Sequence, residues 1–487
     1  MTTNHFLATL ATIMSALFCC GIMGNAAATP QMPTETPLVF AANDGRTVDA
    51  FAGTFTVPEN RQKKDSPLLT LHYVRFPAIG DQGQPPIVYL AGGPGGSGIN
   101  VAKGPRFDLF MALRTHGDVI AFDQRGTGKS DQTKLCTAPQ TIAGNRVVPT
   151  ADLVAAYREA ALHCFDWWQG QGIDPYGYTT VENARDLAAL RRHFGAEKIS
   201  LWGISYGTHL ALAAMKIMPG KIHKAVLASV EGLDQTVKLP ARTDAYFDRL
   251  QRAINKHPTL SVDYPDLVAM IRRVQRNADD NLQMVQVPQR TGGTADLLVT
   301  GDTFRMVTGF MVSDPPRALA LLSIYRAADS GDYGPLIGLM ARFYQGEEAI
   351  QFRTMSLAMD VASGVSNRRM RLVNAQAKDA ILGSMLNFPM PQLRGAIPVL
   401  DLGRGFRRSP RNRIPTLVLS GTLDGRTYPA GHREATDRLR NRTIVTVENA
   451  GHNLFMVSPE VTAVITGFLA GKETLPSTIT IPLSKEL

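Results

Sequence analysis

The pentapeptide Gly203-Ile204-Ser205-Tyr206-Gly207 constrains this chain more than any other feature. An apolar, strand-like run from Lys198 to Gly203 leads into it, and an apolar helix-like run of small residues, Tyr206 to Met218, leads out. A chain that passes from buried strand to buried helix without a loop must turn sharply at the serine, which lifts the Ser205 side chain to the apex of a strained turn. Glycines on both sides let neighbouring backbone pass close by. Five residues alone could be an ordinary strand–helix turn; the flanking runs favour the chemical reading.

The rest of the chain alternates in the same way. Strand-like runs at Ala50–Val57, Leu68–Phe76, Pro86–Leu90 and Asp118–Phe122 precede the pentapeptide, and Lys224–Val230 follows it. A helix is predicted from a cap at Thr179 or Thr180 to Phe194, with Val181, Ala184, Leu187 and Leu190 facing inward. Residues 131–177 read as irregular. From about 235 to 400 helical periodicity dominates and strand signals are sparse. The strand pattern resumes at Thr416–Ser420 and Thr443–Val447, and Val457–Leu469 reads as a closing helix. Strand–helix alternation predicts an α/β architecture: a mostly parallel sheet with helices on both faces and a helical cap insertion. The expected division is a core in two parts, 29–234 and 401–487 with its C-terminal tail, and a helical cap over 235–400.

A serine hydroxyl attacks only when a base takes its proton. In a sheet of this kind the base and its orienting acid are expected later in the chain, at strand carboxyl ends, in the order Ser, Asp, His. His452, in Gly451-His452 after the last strand, is the expected general base. Asp424, in Gly421-Thr422-Leu423-Asp424-Gly425 after the strand before it, is the expected acid, with Asp401 as the alternative. His209 and His223 lie near the serine but not after a late strand, and His432 starts a helix. The developing oxyanion needs donors. One is expected from the Tyr206 N–H and the other from the loop Ala91-Gly92-Gly93-Pro94-Gly95-Gly96-Ser97-Gly98, where Gly93 is the candidate because Pro94 has no N–H. Two glycine-rich stretches mimic nucleotide sites and fail on spacing. Gly126-Thr127-Gly128-Lys129-Ser130 has Asp123 where a phosphate loop needs glycine, and Gly92–Gly98 lacks the acidic ribose partner in the expected unit. No metal-ligand cluster stands out, so neither metal nor cofactor is expected.

Phe6 to Gly24 is apolar and Ala26-Ala27-Ala28 offers small residues for cleavage, so residues 1–28 read as a signal peptide; an uncleaved anchor is the alternative. No other stretch could cross a bilayer. Export to the periplasm or exterior leaves Cys136 and Cys164 in an oxidising compartment, where a lone pair is expected to bond. The net charge of +9 is scattered in short runs, which argues against a nucleic-acid partner and for a solvated basic surface.

Taken together, Gly92-Gly93-Pro94-Gly95-Gly96-Ser97-Gly98, Asp123-Gln124-Arg125-Gly126-Thr127-Gly128 and Gly203-Ile204-Ser205-Tyr206-Gly207-Thr208 resemble the prolyl iminopeptidase and tripeptidyl aminopeptidase branch of the α/β-hydrolases, and Asp424 and His452 match its later motifs. The resemblance spans roughly residues 45 to 470 and is weak through the cap. It implies an exported serine exopeptidase without cofactors, acting on peptides with a free N-terminus, and acidic residues that bind the substrate amine; Glu231 and several cap aspartates are candidates. Relatives of this kind can also carry a cysteine pair after the Arg-Gly loop. Ala91 stands where prolyl iminopeptidases carry histidine, which favours the tripeptidyl branch, and Tyr428 separates Thr427 from Pro429 in the acid motif. Fold and triad do not fix the leaving group. A carboxylesterase or lipase-like hydrolase is therefore the alternative, and an idle binding protein the third reading.

Overall fold

The computed structural model describes residues 34–80, 83–131 and 133–483. The predicted signal peptide lies outside the described residues. Five strands open the chain: β1 (Glu35–Ala41), β2 (Thr47–Pro58), β3 (Leu68–Phe76), β4 (Ile87–Leu90) and β5 (Val119–Phe122). β6 (Cys136–Ile142) lies apart from them, and β7 (Ile199–Ser205) and β8 (Ile222–Val230) bracket the helix Tyr206–Ile217. β9 (Gln283–Pro288), β10 (Thr294–Val299) and β11 (Glu348–Phe352) interrupt the predicted helical region, and β12 (Thr416–Gly421), β13 (Arg442–Glu448) and β14 (Thr478–Thr480) close the chain.

Ten strands form one sheet in the order β1-β2-β3-β5-β4-β7-β8-β12-β13-β14. Pairing is antiparallel from β1 to β5 and parallel from β5 onward. The central strands are short and apolar because both their faces are covered: every residue of β4 and β5 is buried. Their side chains alternate between two cores. Val88, Leu90, Leu201, Leu227 and Val418 pack on one face, and Tyr89, Trp202, Ile204, Ala228 and Leu419 on the other.

Between β8 and β12 the described chain contributes nothing to this sheet. It builds a third core of its own from Tyr246, Phe247, Leu250, Ile271, Phe304 and Tyr325, and Leu423 and Tyr428 from beyond β12 join it. Helices dominate there, with two exceptions to the sequence reading. β9 and β10 form an antiparallel hairpin, and β11 pairs antiparallel with β6.

Residues 131–177 are not irregular. They hold β6 and a 21-residue helix, Thr150–Gly170, whose inner stripe is Ala160, Ala161, Cys164, Phe165 and Trp168. The stripe repeats at helical spacing but occupies only the second half, so the signal is diluted over the whole helix. A disulfide, Cys136–Cys164, fastens this helix to β6 with the Cα atoms 5.7 Å apart.

Candidate active site

β7 passes directly into the helix Tyr206–Ile217 at Ser205, which adopts φ 55° and ψ −127°. Positive φ is strained for any residue with a side chain, and the close packing around the turn holds it there. A Cβ on Gly207 would sit 2.0 Å from the Leu90 carbonyl oxygen, and one on Gly203 would sit 2.8 Å from that of Gly207. The sequence places glycine at both positions because no side chain fits. Tyr206 is the first helical residue, so its N–H belongs to the turn that has no partner within the helix.

The glycine-rich loop after β4 runs against this turn. A Cβ on Gly92 would lie 3.1 Å from the Ser205 Cβ, and Gly93 adopts φ +126° ahead of a cis bond to Pro94. Asp123 shapes the loop from below. Its Oδ1 accepts from Ser97 Oγ (2.6 Å) and Ile99 N (3.1 Å), and its Oδ2 from Lys129 N (2.9 Å). The Asp-Gln-Arg-Gly motif thus has a scaffolding role. Gln124 Nε2 donates to the Ala91 carbonyl (3.1 Å), and the buried Arg125 forks onto both oxygens of Asp186 (2.6 and 2.7 Å) while donating to the carbonyls of Glu59 and Gly177.

Asp424 and His452 follow β12 and β13. His452 Nδ1 lies 3.2 and 3.1 Å from the two Asp424 oxygens. Asp424 is buried and also accepts from the backbone N–H groups of Arg426 (2.8 Å) and Thr427 (3.0 Å) and from Thr427 Oγ1 (2.8 Å). Burial pushes its carboxyl up, but the His452 charge and the hydrogen bonds of two histidines outweigh that and hold it well below the ordinary range. His452 is fixed from both sides: its N–H donates to the Ser313 carbonyl (2.8 Å), and its carbonyl accepts from Ser229 Oγ (2.7 Å). Ser229 precedes Val230, the register partner of Ser205, so this bond sets the His452 loop beside the serine turn.

The other candidates separate clearly. Asp401 lies at the surface, paired with Arg407 (2.6 Å). His209 is buried between the Gly232 carbonyl and Ser363 Oγ (3.1 Å each), and burial pushes its pKa down to about 4. His223 is half-buried on β8. His432 was passed over in the sequence, yet it reaches the acid. Its Nε2 is 3.4 Å from Asp424 Oδ2 and 2.9 Å from Thr427 Oγ1, while Ser420 Oγ meets Nδ1 at 2.8 Å. Tyr428, the residue that interrupts the acid motif, takes φ 60° and bonds through its hydroxyl to Thr243 (2.5 Å).

Ser205 opens into a cavity of about 180 Å³ with Gly93, Glu231, Lys238, Asp360 and Phe388 in its wall. Glu231 follows β8, and its N–H donates to Thr208 Oγ1 (2.8 Å), which in turn donates to the Ser205 carbonyl (2.6 Å). Lys238 Nζ lies 2.7 Å from Glu231 Oε2. Burial pushes Glu231 up, and Lys238 and two histidines bring it below its ordinary value. Asp360 comes from the helix Thr354–Ser363, between β11 and β12. Burial, then repulsion from Glu231, raises it to about 7. The sequence left this residue among several cap aspartates. The same helix touches the glycine-rich loop, where Ser356 Oγ donates to the Pro94 carbonyl (3.0 Å).

Residues 85–302 match the family described as alpha/beta hydrolase fold, and residues 398–477 match the TAP-like protein family. Serine protease Hip1 of Mycobacterium tuberculosis is 30% identical over 188 residues, 37% of this chain and 35% of that protein. The tripeptidyl aminopeptidase of Streptomyces lividans is 30% identical over 190 residues, 37% of this chain and 35% of that one. The chain thus spans about a third of the length of these relatives. A proline iminopeptidase-related protein from Thermus thermophilus aligns over 86% of this chain and 97% of its own, at 17% identity and a TM-score of 0.38.

Proposed function

We propose that this chain, which matches the α/β-hydrolase fold family over residues 85–302 and the TAP-like family over residues 398–477, is an exported serine aminopeptidase that releases residues or short peptides from a free N-terminus. Ser205 attacks the scissile carbonyl and His452 takes its proton, then returns it to the leaving amine. Asp424 holds the imidazole tautomer and stabilises the imidazolium. The N–H groups of Gly93 and Tyr206 receive the oxyanion. Water then repeats the sequence on the acyl-enzyme. The bonded cysteines suit an oxidising compartment. The insertion over 235–400, as a cap, roofs the strand ends and closes the acyl side.

One observation carries the substrate assignment: Glu231 and Asp360 share the small cavity of Ser205. Lys238 already balances Glu231. Asp360 is left as the carboxylate for an incoming ammonium, which would otherwise lose its hydration without compensation. A neutral ester has no use for that arrangement.

The test pairs a peptide p-nitroanilide bearing a free N-terminus with its N-acetylated twin. The free amine should be cleaved well, the acetylated form should lose most of kcat/KM, and Ser205→Ala should turn over neither. Equal cleavage of both would reject the aminopeptidase reading. Brisk hydrolysis of unrelated esters with no peptide cleavage would establish the carboxylesterase alternative.

A further inference from the structure

A second, larger cavity opens along the same glycine-rich loop. It measures about 820 Å³, and its wall includes Gly95, Arg106, Asp131, Arg353, Asn453 and Met456. Gly95 lies two residues beyond Gly93, and Asn453 directly follows His452. The groove therefore begins where the oxyanion loop and the general base end. In acyl transfer the histidine hands its proton to the departing amine. The departing half of a substrate must then lie on the His452 side, and the acyl half in the smaller cavity with Glu231 and Asp360.

We infer that this groove receives the leaving part of a short peptide and that Arg353 binds its terminal carboxylate. The inference rests on the peptidase reading above. Two arginines line the groove, and their commitments differ. Arg106 is held to the Tyr89 hydroxyl and to Asn453 Oδ1 (3.0 Å) and lies over the Phe455 ring. Arg353 is 61% exposed, and among the described residues its ion partner is Asp131 at 3.9 Å, beyond hydrogen-bond reach. Asp131 spends its other oxygen on Thr133 N (2.9 Å) and Oγ1 (2.6 Å). Arg353 can thus move onto a ligand without breaking a direct bond to Asp131.

The spacing selects a peptide length. Arg353 caps the helix that carries Asp360, seven residues on. That is about 10 Å of helix rise. An extended peptide covers the same distance in about three residues, and the reach of the arginine side chain adds one or two more. A peptide of about three to five residues would satisfy both ends at once, its ammonium at Asp360 and its carboxylate at Arg353. A long chain would gain only the first.

The experiment uses three substrates built on the acyl residue preferred in a free-amine anilide panel: its p-nitroanilide, a tripeptide acid with two alanines on the leaving side, and the same tripeptide as C-terminal amide. The acid should exceed the amide in kcat/KM by about fivefold, the scale of a solvent-exposed ion pair. Arg353→Gln should erase that ratio and leave the anilide within twofold of wild type. Asp131→Asn, which removes the competing carboxylate, should raise the ratio. If the anilide is cleaved and acid and amide are equal in wild type, the groove assignment falls and the peptidase reading stands. If neither anilide nor peptide is cleaved while esters are, both fall.

Discussion

Asp360→Asn isolates the charge that the proposed function requires. The carboxyl sits in the Ser205 cavity at a value raised to about 7 by burial and by Glu231. Its ionised fraction therefore climbs from about one-tenth at pH 6 to about nine-tenths at pH 8. The substrate α-amine loses its proton near 8. The ammonium–carboxylate pair is thus most populated between those values, near pH 7.5, and thins on both sides. A hydrogen bond to a charged group contributes about 1.5–3 kcal/mol, so removing the charge while keeping the shape should lower kcat/KM for a free-amine anilide about 10- to 100-fold near pH 7.5. Most of that loss should appear in KM. The acetylated twin, measured from pH 5.5 to 8.5, shares every step except recognition of the amine and supplies the reference profile. The ratio of the two profiles should peak in wild type and flatten in the variant. Stability supplies an independent check with a defined sign. A carboxyl raised in the folded state favours its neutral form, so its cost to stability is absent below pH 4, grows as pH rises to about 7 and stays level above it. Asp360→Asn should be more stable than wild type at pH 8, by about 1–2 kcal/mol after allowing for solvent in the cavity, and equal to it at pH 3.5. An unchanged KM profile together with an unchanged melting temperature at pH 8 would remove Asp360 from the substrate site.

Three further outcomes follow from particular contacts. His432→Ala leaves the buried Thr427 and Ser420 hydroxyls without their imidazole, so kcat should fall about tenfold with KM held, and His432→Gln should recover part of it; equal kcat in wild type and the alanine variant would confine His432 to packing. Arg125→Met leaves the buried Asp186 with Arg61 as its remaining cation and takes a donor from the Glu59 and Gly177 carbonyls, and should cost about 1.5–3 kcal/mol in urea unfolding, although Arg125 touches no reacting group. Replacing both Cys136 and Cys164 by alanine frees a loop of 28 residues' separation and should cost about 3–4 kcal/mol, read as a lower urea midpoint that added reductant does not shift further.

The parts of the site that were legible in the sequence are those a sheet dictates locally. A buried strand ending at a glycine-flanked serine leaves one place for the proposed nucleophile, and the ends of β12 and β13 carry Asp424 and His452, which the structure brings within 3.2 Å of each other. The same logic placed Gly92 and Gly93 beside the serine, where a side chain on Gly92 would meet the Ser205 Cβ at 3.1 Å. His432 was less legible because its role comes from helix geometry after the acid. The helix Pro429–Thr436 turns back so that its fourth residue faces β12, and only then do Ser420, His432, Thr427 and Asp424 form one hydrogen-bonded series. A buried histidine starting a helix after Asp-x-x-Thr was the available signal.

The substrate side was illegible for a different reason. Glu231 could be suspected because it follows a core strand, but Asp360 lies 129 positions later, on a helix whose Met355, Leu357, Ala358 and Met359 return to the core of the sheet. Helical periodicity tells which face of that helix is buried, not where on the sheet it lands. Long-range contacts decide that. β11 pairs with β6, setting Phe352 opposite Cys136. The disulfide ties Cys136 to the helix Thr150–Gly170, and Arg158 of that helix donates to the Gln392 carbonyl (2.5 Å) farther along the insertion. The helix after β11 is thereby laid across the glycine-rich loop, with Ser356 on Pro94 and Asp360 in the Ser205 cavity. The irregular-looking stretch 131–177 is thus a fixture for the helix that carries Asp360. Ser205, Asp424 and His452 follow strands of the sheet, and the insertion reaches them through Ser313 and Thr243 rather than through this helix. By this division, loosening the β6–β11 pairing should disturb recognition of the amine before it disturbs the chemistry at Ser205.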